Sequence, residues 1–163
     1  MLEATTDLVC VKSNIIAFCI VTTNDFDSLV ALRIAAMQAS LERVGRFDPE
    51  RARTRLKNSF YPEHTQFIVL EGERIGFYTF RPMADGFHLD HLYIHPNNQS
   101  RGVGSFVMQH LIAQAEEKQM PIHVGALRES ASNRFYQRHG FAKVREEEWD
   151  IYYVRECGVK RTN

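Results

Sequence analysis

The chain has 163 residues, of which 44% are hydrophobic and 25% are charged, as in a globular domain with a substantial core. Twenty basic residues balance twenty acidic ones, and this zero net charge argues against a nucleic-acid partner, which normally requires a basic excess. Three widely separated cysteines fit reduced thiols better than a disulfide framework. We therefore predict one domain over residues 1–163.

The amino-terminal residues predict neither export nor membrane insertion. They lack the basic and long apolar segments of a signal peptide, and no apolar window in the chain is long enough to span a bilayer. We therefore expect a cytoplasmic protein without a membrane partner. Residues 1–14 show no clear period and are interpreted as a loose extension or an extra strand.

The first half of the chain predicts a strand, two helices and a hairpin. Apolar, β-branched residues at 15–21 indicate a buried strand, and helical spacing follows from Asp25 to about Val44. Asp48 and Pro49 indicate a second helix start, and that helix is expected to end near Phe60. The hairpin strands are predicted at 65–70 and 75–80, around a short turn that contains glycine.

The second half alternates strands and helices. A strand is predicted from Phe87 to Ile94, and a helix runs from about Gly102 to Gln119 before Pro121 prevents its extension. The later predicted elements are a strand at 122–126, a short helix capped by Ser130 or Ser132 and ended by Gly140, and closing strands at 141–145 and 148–155.

A glycine-containing stretch follows the strand that ends near Ile94. Pro96 breaks this strand, and Gln99, Gly102 and Gly104 follow at the spacing Gln-x-x-Gly-x-Gly. Because glycine lacks a Cβ atom, the backbone can turn tightly and direct several N–H groups at one anion. The next helix adds its first-turn N–H groups and the positive end of its dipole. The stretch indicates a diphosphate site, with an ordinary helix cap as the alternative.

Two known nucleotide loops do not fit this stretch, because no Lys-Ser or Lys-Thr pair follows Gly104 and the third glycine of a dinucleotide-binding loop is missing. The run from Ile94 to Gly104, Ile-x-Pro-x-x-Gln-x-x-Gly-x-Gly, instead resembles the coenzyme A pyrophosphate loop of the GNAT superfamily of N-acetyltransferases. A second run, Ser132 to Phe141, looks like the A-x-x-F-Y-x-x-x-G-F segment of that superfamily. The resemblance covers residues 65–141, whereas residues 1–60 match only in general layout.

The resemblance implies an α/β fold with a mixed, mostly antiparallel sheet that is splayed at its centre and flanked by about four helices. It also implies acetyl-coenzyme A as the donor, with a backbone N–H of Leu92 or Ile94 directed at the thioester carbonyl as an oxyanion donor. Asn133 would bond the pantetheine chain. The residues implied for coenzyme A are Leu92, Tyr93, Ile94, Gln99, Ser100, Arg101, Gly102, Val103, Gly104, Ser105, Asn133 and Tyr136.

Two catalytic groups are predicted. Tyr136 matches the tyrosine that protonates the coenzyme A sulfur, and a phenol is still protonated at neutral pH; packing beside Phe135 is the alternative. Period-two alternation places His88 and Asp90 on one face of their strand, where the superfamily often holds its general base. A structural histidine with a carboxylate partner is the alternative, and Asp90, Glu42 or water could replace His88 as the base.

The predicted function is direct transfer of an acetyl group from acetyl-coenzyme A to a primary amine, preferably of a small molecule. The alternatives are a protein or peptide acceptor, at an amino terminus or a lysine, and a coenzyme A sensor without turnover. No metal is predicted, because the histidines and cysteines lack ligand spacing in the sequence. A homodimer through the terminal strands stays an open prediction.

Overall fold

The computed structural model describes residues 7–11 and 14–158, with side chains from residue 15 onward. Its backbone contacts divide the chain into two compact units. The first unit contains residues up to Thr79 together with His91–Phe106, and the second contains Phe80–Asp90 together with residues from Val107 onward. This division leaves the prediction of one domain untested.

Eight strands and four helices make up the described chain. The strands are β1 (Asp7–Val11), β2 (Asn14–Ile20), β3 (Thr65–Leu70), β4 (Glu73–Met83), β5 (Gly86–Ile94), β6 (Ile122–Leu127), β7 (Ala142–Glu146) and β8 (Asp150–Arg155). The helices are α1 (Phe26–Arg43), α2 (Pro49–Asn58), α3 (Val103–Glu117) and α4 (Ser132–Arg138). None of the described helices combines the length and the apolar character needed to cross a membrane.

The strands form a mixed, mostly antiparallel sheet in the order β1-β2-β3-β4-β5-β6-β8-β7. β5 and β6 pair in parallel, whereas β1 with β2, β2 with β3, β3 with β4, β6 with β8, and β7 with β8 pair antiparallel. These findings confirm the predicted α/β class and the number of helices. β1 also shows that residues 7–11 form the extra strand, while residues 1–6 and 12–13 lie outside the described residues.

The parallel ladder between β5 and β6 is short. Its register pairs are Phe87 with Ile122, His88 with His123 and Leu89 with Val124, although β5 continues to Ile94. Within these two described strands the paired part therefore ends at Leu89, which corresponds to the predicted splay.

In the first unit, α1 and α2 cover the apolar face of the sheet. The core joins Leu29 and Val30 of α1, Leu56 of α2, and Phe67 and Phe77 of the strands. The predicted cap of α2 is confirmed, since the Asp48 carboxylate accepts hydrogen bonds from the N–H groups of its first turn. α1 begins one residue later than predicted, after a short 3-10 turn.

In the second unit, α3 supplies the buried apolar side chains Val107, Met108, Leu111 and Ala115. The helix ends at Glu117, two residues before its predicted end, because Gln119 adopts a left-handed backbone with φ 53°. The buried apolar residues that β6 and β8 contribute are Ile122, Val124, Ala126, Leu127 and Tyr153.

Candidate functional site

The loop after β5 belongs to the first unit and is anchored to the end of its own strand. His95 N–H donates to the Ile75 carbonyl at 2.7 Å, and the Gln99 side chain donates from Nε2 to the Ile94 carbonyl at 2.8 Å. Pro96 begins a 3-10 turn between these two bonds. The glutamine of the motif therefore closes the loop, which explains why a side-chain amide suits this position.

Two left-handed residues bend the loop before α3. Ser100 has φ 61° and Gly102 has φ 81°, a region that L side chains rarely adopt. The Gly102 carbonyl accepts the Phe106 N–H at 3.1 Å, so Gly102 is the N-cap of the helix. The predicted tight turn is thus found at Gly102, whereas Gly104 already lies in the first turn of α3.

This geometry suits an anion. The N–H groups of Val103 and Gly104 have no acceptor within the helix, because the first turn of an α-helix lacks preceding carbonyls. The helix dipole adds positive potential at the same place. Arg101 is exposed and bonds the Asn98 side chain at 3.2 Å, so its charge lies beside the loop. Diphosphate binding at this loop stays a prediction.

The predicted pantetheine strand lies close to β4. A Cβ atom at Gly76 would come within 2.2 Å of the Tyr93 carbonyl oxygen and 3.1 Å of the Ile94 Cα atom. Only glycine therefore permits this approach between the two strands. The backbone of Leu92, Tyr93 and Ile94, which the sequence assigns to the donor, is positioned by a residue outside both motifs.

The Tyr93 side chain belongs to a buried polar chain within the first unit. Arg33 of α1 donates from Nε to the Tyr93 hydroxyl at 3.2 Å and from Nη1 to the Ala52 carbonyl at 2.6 Å. Tyr93 Oη is 3.4 Å from His91 Nδ1, and His91 Nε2 is 2.8 Å from Ser59 Oγ. Sequence reasoning missed the buried Arg33, because nothing local distinguishes it from the other arginines.

The order of donors and acceptors along these hydrogen bonds determines the His91 tautomer. Ser59 Oγ donates to the Arg55 carbonyl at 2.9 Å, so it accepts from His91 Nε2–H. His91 Nδ1 then accepts from the Tyr93 hydroxyl, which in turn accepts from Arg33. The alternation along β5 predicted that His88 and Asp90 lie on the face opposite to His91. The burial pattern agrees, since His91 is buried while His88 and Asp90 are half-buried.

In the second unit, Asp90 pairs with Arg81 of β4. The carboxylate receives hydrogen bonds from Arg81 Nε and, at 3.3 Å, from Arg81 Nη2, and both side chains are 18% exposed. This two-point pairing commits the carboxylate to a cation from the neighbouring strand. Asp90 therefore serves as a counter-ion, and its predicted catalytic role stays a prediction.

The His88 side chain contacts Asp85 and His123. His88 Nε2 is 2.8 Å from Asp85 Oδ1, and the His88 ring stacks on His123 with centroids 4.8 Å apart. The hydrogen bond from His88 holds the pKa of Asp85 below its ordinary value. The sequence predicted Asp90 as the carboxylate beside His88, whereas the carboxylate that contacts His88 belongs to Asp85 in the turn before β5.

Tyr136 and Asn133 both lie on α4 in the second unit. Tyr136 is 5% exposed, and its ring packs against Phe135, Phe141 and Tyr153 at centroid distances of 5.5, 5.5 and 6.2 Å. These ring contacts fix the orientation of the phenol. They are compatible with both predicted roles, the acid and the packing aromatic.

The Asn133 side chain closes the turn between β6 and α4. Its Nδ2 donates to the carbonyls of Leu127 and Ser130 at 2.8 and 2.9 Å, and its Oδ1 accepts from Tyr153 Oη at 2.8 Å. Both ends of the carboxamide are therefore used inside the protein. The structure gives Asn133 a structural role, and its contact with pantetheine stays a prediction.

Glu42, the alternative base, lies near the end of α1 in the first unit. Its side chain is exposed and accepts a hydrogen bond from Gln38 Nε2 at 2.9 Å. This contact with the same helix holds one carboxylate oxygen at the surface. The structure gives Glu42 no further partner that would support a catalytic role among the described residues.

Comparison with known proteins identifies the family. Residues 63–143, about half of the chain, match the family model described as an acetyltransferase (GNAT) domain. Both sequence motifs that resemble this superfamily lie within the matched residues. A search of curated protein sequences finds no match.

Solved structures with the same fold include several acetyltransferases. The PaiA N-acetyltransferase of Thermoplasma acidophilum, in complex with coenzyme A, is 14% identical, with a TM-score of 0.71 over 86% of this chain and 98% of that one. An acetyltransferase of Thermus thermophilus is 19% identical, with a TM-score of 0.66 over 96% and 99%. The ribosomal-protein-S18-alanine N-acetyltransferase of Escherichia coli is 15% identical, with a TM-score of 0.66 over 91% and 97%.

The mixed sheet, the short parallel ladder and the glycine loop before α3 define a GNAT-type acetyltransferase fold. With the family model matching the segment that carries both motifs, the chain belongs to the GNAT superfamily.

Proposed function

We propose that the protein transfers the acetyl group of acetyl-coenzyme A directly to a primary amine of a small molecule. The observation that carries this proposal is the loop before α3, where left-handed residues at Ser100 and Gly102 open the helix at its amino end. The first-turn N–H groups of α3 can donate hydrogen bonds to the negatively charged oxygens of a diphosphate. The coenzyme A complex of the T. acidophilum enzyme, a protein of the same fold, supports the identity of the donor.

The rest of the donor would lie along β5. Pantetheine carries amide groups that pair with strand backbone, and Leu92 and Ile94 lie beyond the ladder with β6. A backbone N–H there would stabilise the oxyanion that forms when the amine attacks the thioester carbonyl. The Gly76 contact with Tyr93 and Ile94 would hold that N–H in place, since the two backbones are already at their closest approach.

Collapse of the tetrahedral intermediate releases a coenzyme A thiolate, which Tyr136 would protonate. A phenol holds its proton at neutral pH and can donate it to the sulfur as the bond breaks. The sequence places no cysteine in either motif, so transfer would proceed without an acyl-enzyme. Protein mixed with donor alone should therefore carry no acetyl group on Cys10, Cys19 or Cys157.

The amine must lose a proton before or during attack. His88, the base assigned from the sequence, has a carboxylate partner in Asp85, which supports a role in accepting that proton. Asp90 would act indirectly, since Arg81 occupies its carboxylate. Glu42 and water stay the alternatives, and the rates of His88→Gln and Asp90→Asn variants across pH would distinguish them.

A screen of acceptors tests the proposal. Purified protein would be incubated with acetyl-coenzyme A and a panel of small amines, amino acids and peptides, and free thiol would be measured over time. We expect at least one small amine to accelerate thiol release. Acceleration by peptides alone would instead support a protein acceptor. The E. coli structure is named as an enzyme with such an acceptor, ribosomal protein S18. Coenzyme binding without acceleration by any acceptor would support the sensor alternative.

A further inference from the structure

Two histidines and one aspartate meet at the start of β5, within the second unit. We call Asp85, His88 and His123 the His–His–Asp cluster. The Asp85 carboxylate lies 2.8 Å from His88 Nε2 and 3.6 Å from His123 Nε2. The three potential ligand atoms all lie within 4.8 Å of one another. Asp85 and His88 are three residues apart in the sequence, whereas His123 comes from a different strand.

The backbone fixes the positions from which these side chains project. His88 and His123 are directly opposite each other in the parallel ladder, so they leave the sheet on the same face. Phe87 N–H donates to the Pro121 carbonyl at 2.9 Å. A Cβ atom at Gly86 would come within 2.6 Å of that carbonyl oxygen, so the two strand starts are in close contact. The cluster is thus preorganised, which reduces the entropy cost of binding an ion.

Both Nε2 atoms of the cluster lie close to Asp85, and the two imidazole rings stack at an interplanar angle of 26°. His123 Nε2 also donates to the Asp85 backbone carbonyl at 3.1 Å, a hydrogen bond that a bound ion would replace. In a tetrahedral zinc site, bonds of about 2.1 Å place neighbouring ligand atoms about 3.4 Å apart. Ligand atoms that lie within 4.8 Å of one another would therefore approach by at most about 1.4 Å, which rotation of the side chains can supply.

The donor set selects a class of ion. Two imidazole nitrogens with one carboxylate favour zinc, nickel or copper, whereas magnesium and calcium prefer sites made of oxygen alone. The side chains of Asp85, His88 and His123 are 60%, 31% and 29% exposed, so an ion can enter and keep a water molecule as its fourth ligand.

The charge around Asp85 also fits a cation. Within the described part of the chain, the Asp85 carboxylate contacts the side chains of His88 and His123 and no arginine or lysine. A divalent ion would add positive charge beside this carboxylate. We propose that the His–His–Asp cluster is a binding site for a divalent transition-metal ion of the zinc type.

This site goes beyond the proposed acetyl transfer and does not depend on it. Its expected effect is to tie the turn before β5 to β6. A bound ion would also occupy the His88 nitrogen that faces Asp85, so a loaded cluster and a free His88 exclude each other.

Calorimetric titration of metal-free, full-length protein with zinc chloride tests the site. We expect one ion per chain, with an affinity that falls more than about tenfold in His123→Gln, because loss of an outer-shell partner alone typically costs that much. His64→Gln, which removes a histidine outside the cluster, is the matched control and should bind like wild type. Asp85→Asn, a change in an exposed turn, is a second variant if His123→Gln does not fold.

Cobalt(II) gives an independent readout of the same site. The wild-type protein should show the visible absorption of a four-coordinate cobalt ion, and His123→Gln and Asp85→Asn should lose it. The proposal is overturned if wild-type protein binds neither ion, or if both variants bind zinc as tightly as the His64→Gln control. These measurements use no acetyl donor, so their failure leaves the proposed acetyl transfer unaffected.

Discussion

Among single residues, Tyr136 carries the most specific chemical prediction. Its phenol is buried among aromatic rings that a phenylalanine would preserve. Tyr136→Phe should therefore reduce the rate of acetyl transfer by about 100-fold to 10,000-fold, the usual contribution of a general acid, because the leaving thiolate loses its proton donor. Steady-state kinetics would measure the rate, and coenzyme A titration should show nearly unchanged binding.

The matched control for this change is Tyr152→Phe. The Tyr152 hydroxyl bonds the exposed Glu147 at 3.3 Å, so its removal should leave the transfer rate nearly unchanged. A Tyr136→Phe enzyme with wild-type activity would remove the acid assignment and favour the packing role.

The ion pair of Asp90 predicts a stability effect. Asp90→Asn removes the carboxylate that receives two hydrogen bonds from Arg81, in a site where both side chains are only 18% exposed. The free energy of unfolding should fall by about 1–3 kcal/mol, since such pairs lie between surface and buried ones. Urea unfolding followed by circular dichroism measures this change.

Asp27→Asn provides the comparison for Asp90→Asn. Asp27 pairs with Arg53 at 2.7 Å, but these side chains are 82% and 46% exposed. Its loss should cost less than about 1 kcal/mol. Equal effects of the two changes would contradict the structural role given to Asp90.

Single residues also show what local patterns predict and what they miss. The two-residue alternation of a strand correctly predicted that His88 and Asp90 are less buried than His91. Alternation did not identify the partners of these two residues. Arg81 contacts Asp90 from β4, and contacts across strands depend on register. Asp85 contacts His88 from the preceding turn, which lies outside the strand pattern. The cluster with His123 was missed for the same reason, and the expectation of no metal site rested on sequence spacing alone.

Among the secondary-structure elements, the loop before α3 is the most important for the proposed function. Gly102 has φ 81°, and no atom of the described residues, apart from its neighbours in the chain, lies within 4 Å of the position a Cβ would take. Gly102→Ala should therefore cost only the left-handed backbone strain, about 1–2 kcal/mol, while it weakens coenzyme A binding by distorting the N-cap. Thermal unfolding and coenzyme titration measure the two effects.

Ser100→Gly is the control within the same loop. Glycine accepts the left-handed conformation at φ 61° more readily than serine, so stability and coenzyme binding should be retained. If Gly102→Ala binds coenzyme A as well as Ser100→Gly does, the loop backbone is not the diphosphate site.

The contact between β4 and β5 gives a second prediction for these elements. In Gly76→Ala the new Cβ would lie 2.2 Å from the Tyr93 carbonyl oxygen, so the two strands must move apart. We expect a loss of about 1–3 kcal/mol in stability and weaker coenzyme A binding, because the displaced backbone is the one assigned to pantetheine.

Gly125→Ala in β6 is the matched control for this change. Its Cβ would meet the Tyr152 ring at 3.2 Å, and a side chain can move where a backbone cannot. The effect on coenzyme binding should be small. Intact coenzyme binding in Gly76→Ala would show that the end of β5 does not hold the donor.

Caps and breakers predicted these elements well. Asp48 with Pro49 located the start of α2, and Pro121 bounded α3 from the far side. The close approach at Gly76 was not predictable, because a glycine inside a strand gives no indication of which neighbouring backbone it faces.

For the whole molecule, the sequence predicted the mixed sheet, the four helices and the family. The two motifs carried the family assignment because each combines backbone requirements with a fixed order of strand, loop and helix. Residues 1–60 contain no such motif, and the acceptor is not encoded in any local pattern. Acceptor class, subcellular location and assembly therefore stay predictions.

In the proposed reaction, one acetyl group moves from acetyl-coenzyme A to one amine. With the best small amine from the acceptor screen, mass spectrometry of a single reaction mixture would measure acetylated amine and free coenzyme A together. We predict equal amounts of both products at every time point, and almost none with Tyr136→Phe. Free coenzyme A without acetylated amine, or no turnover with any acceptor, would contradict the assignment as an N-acetyltransferase.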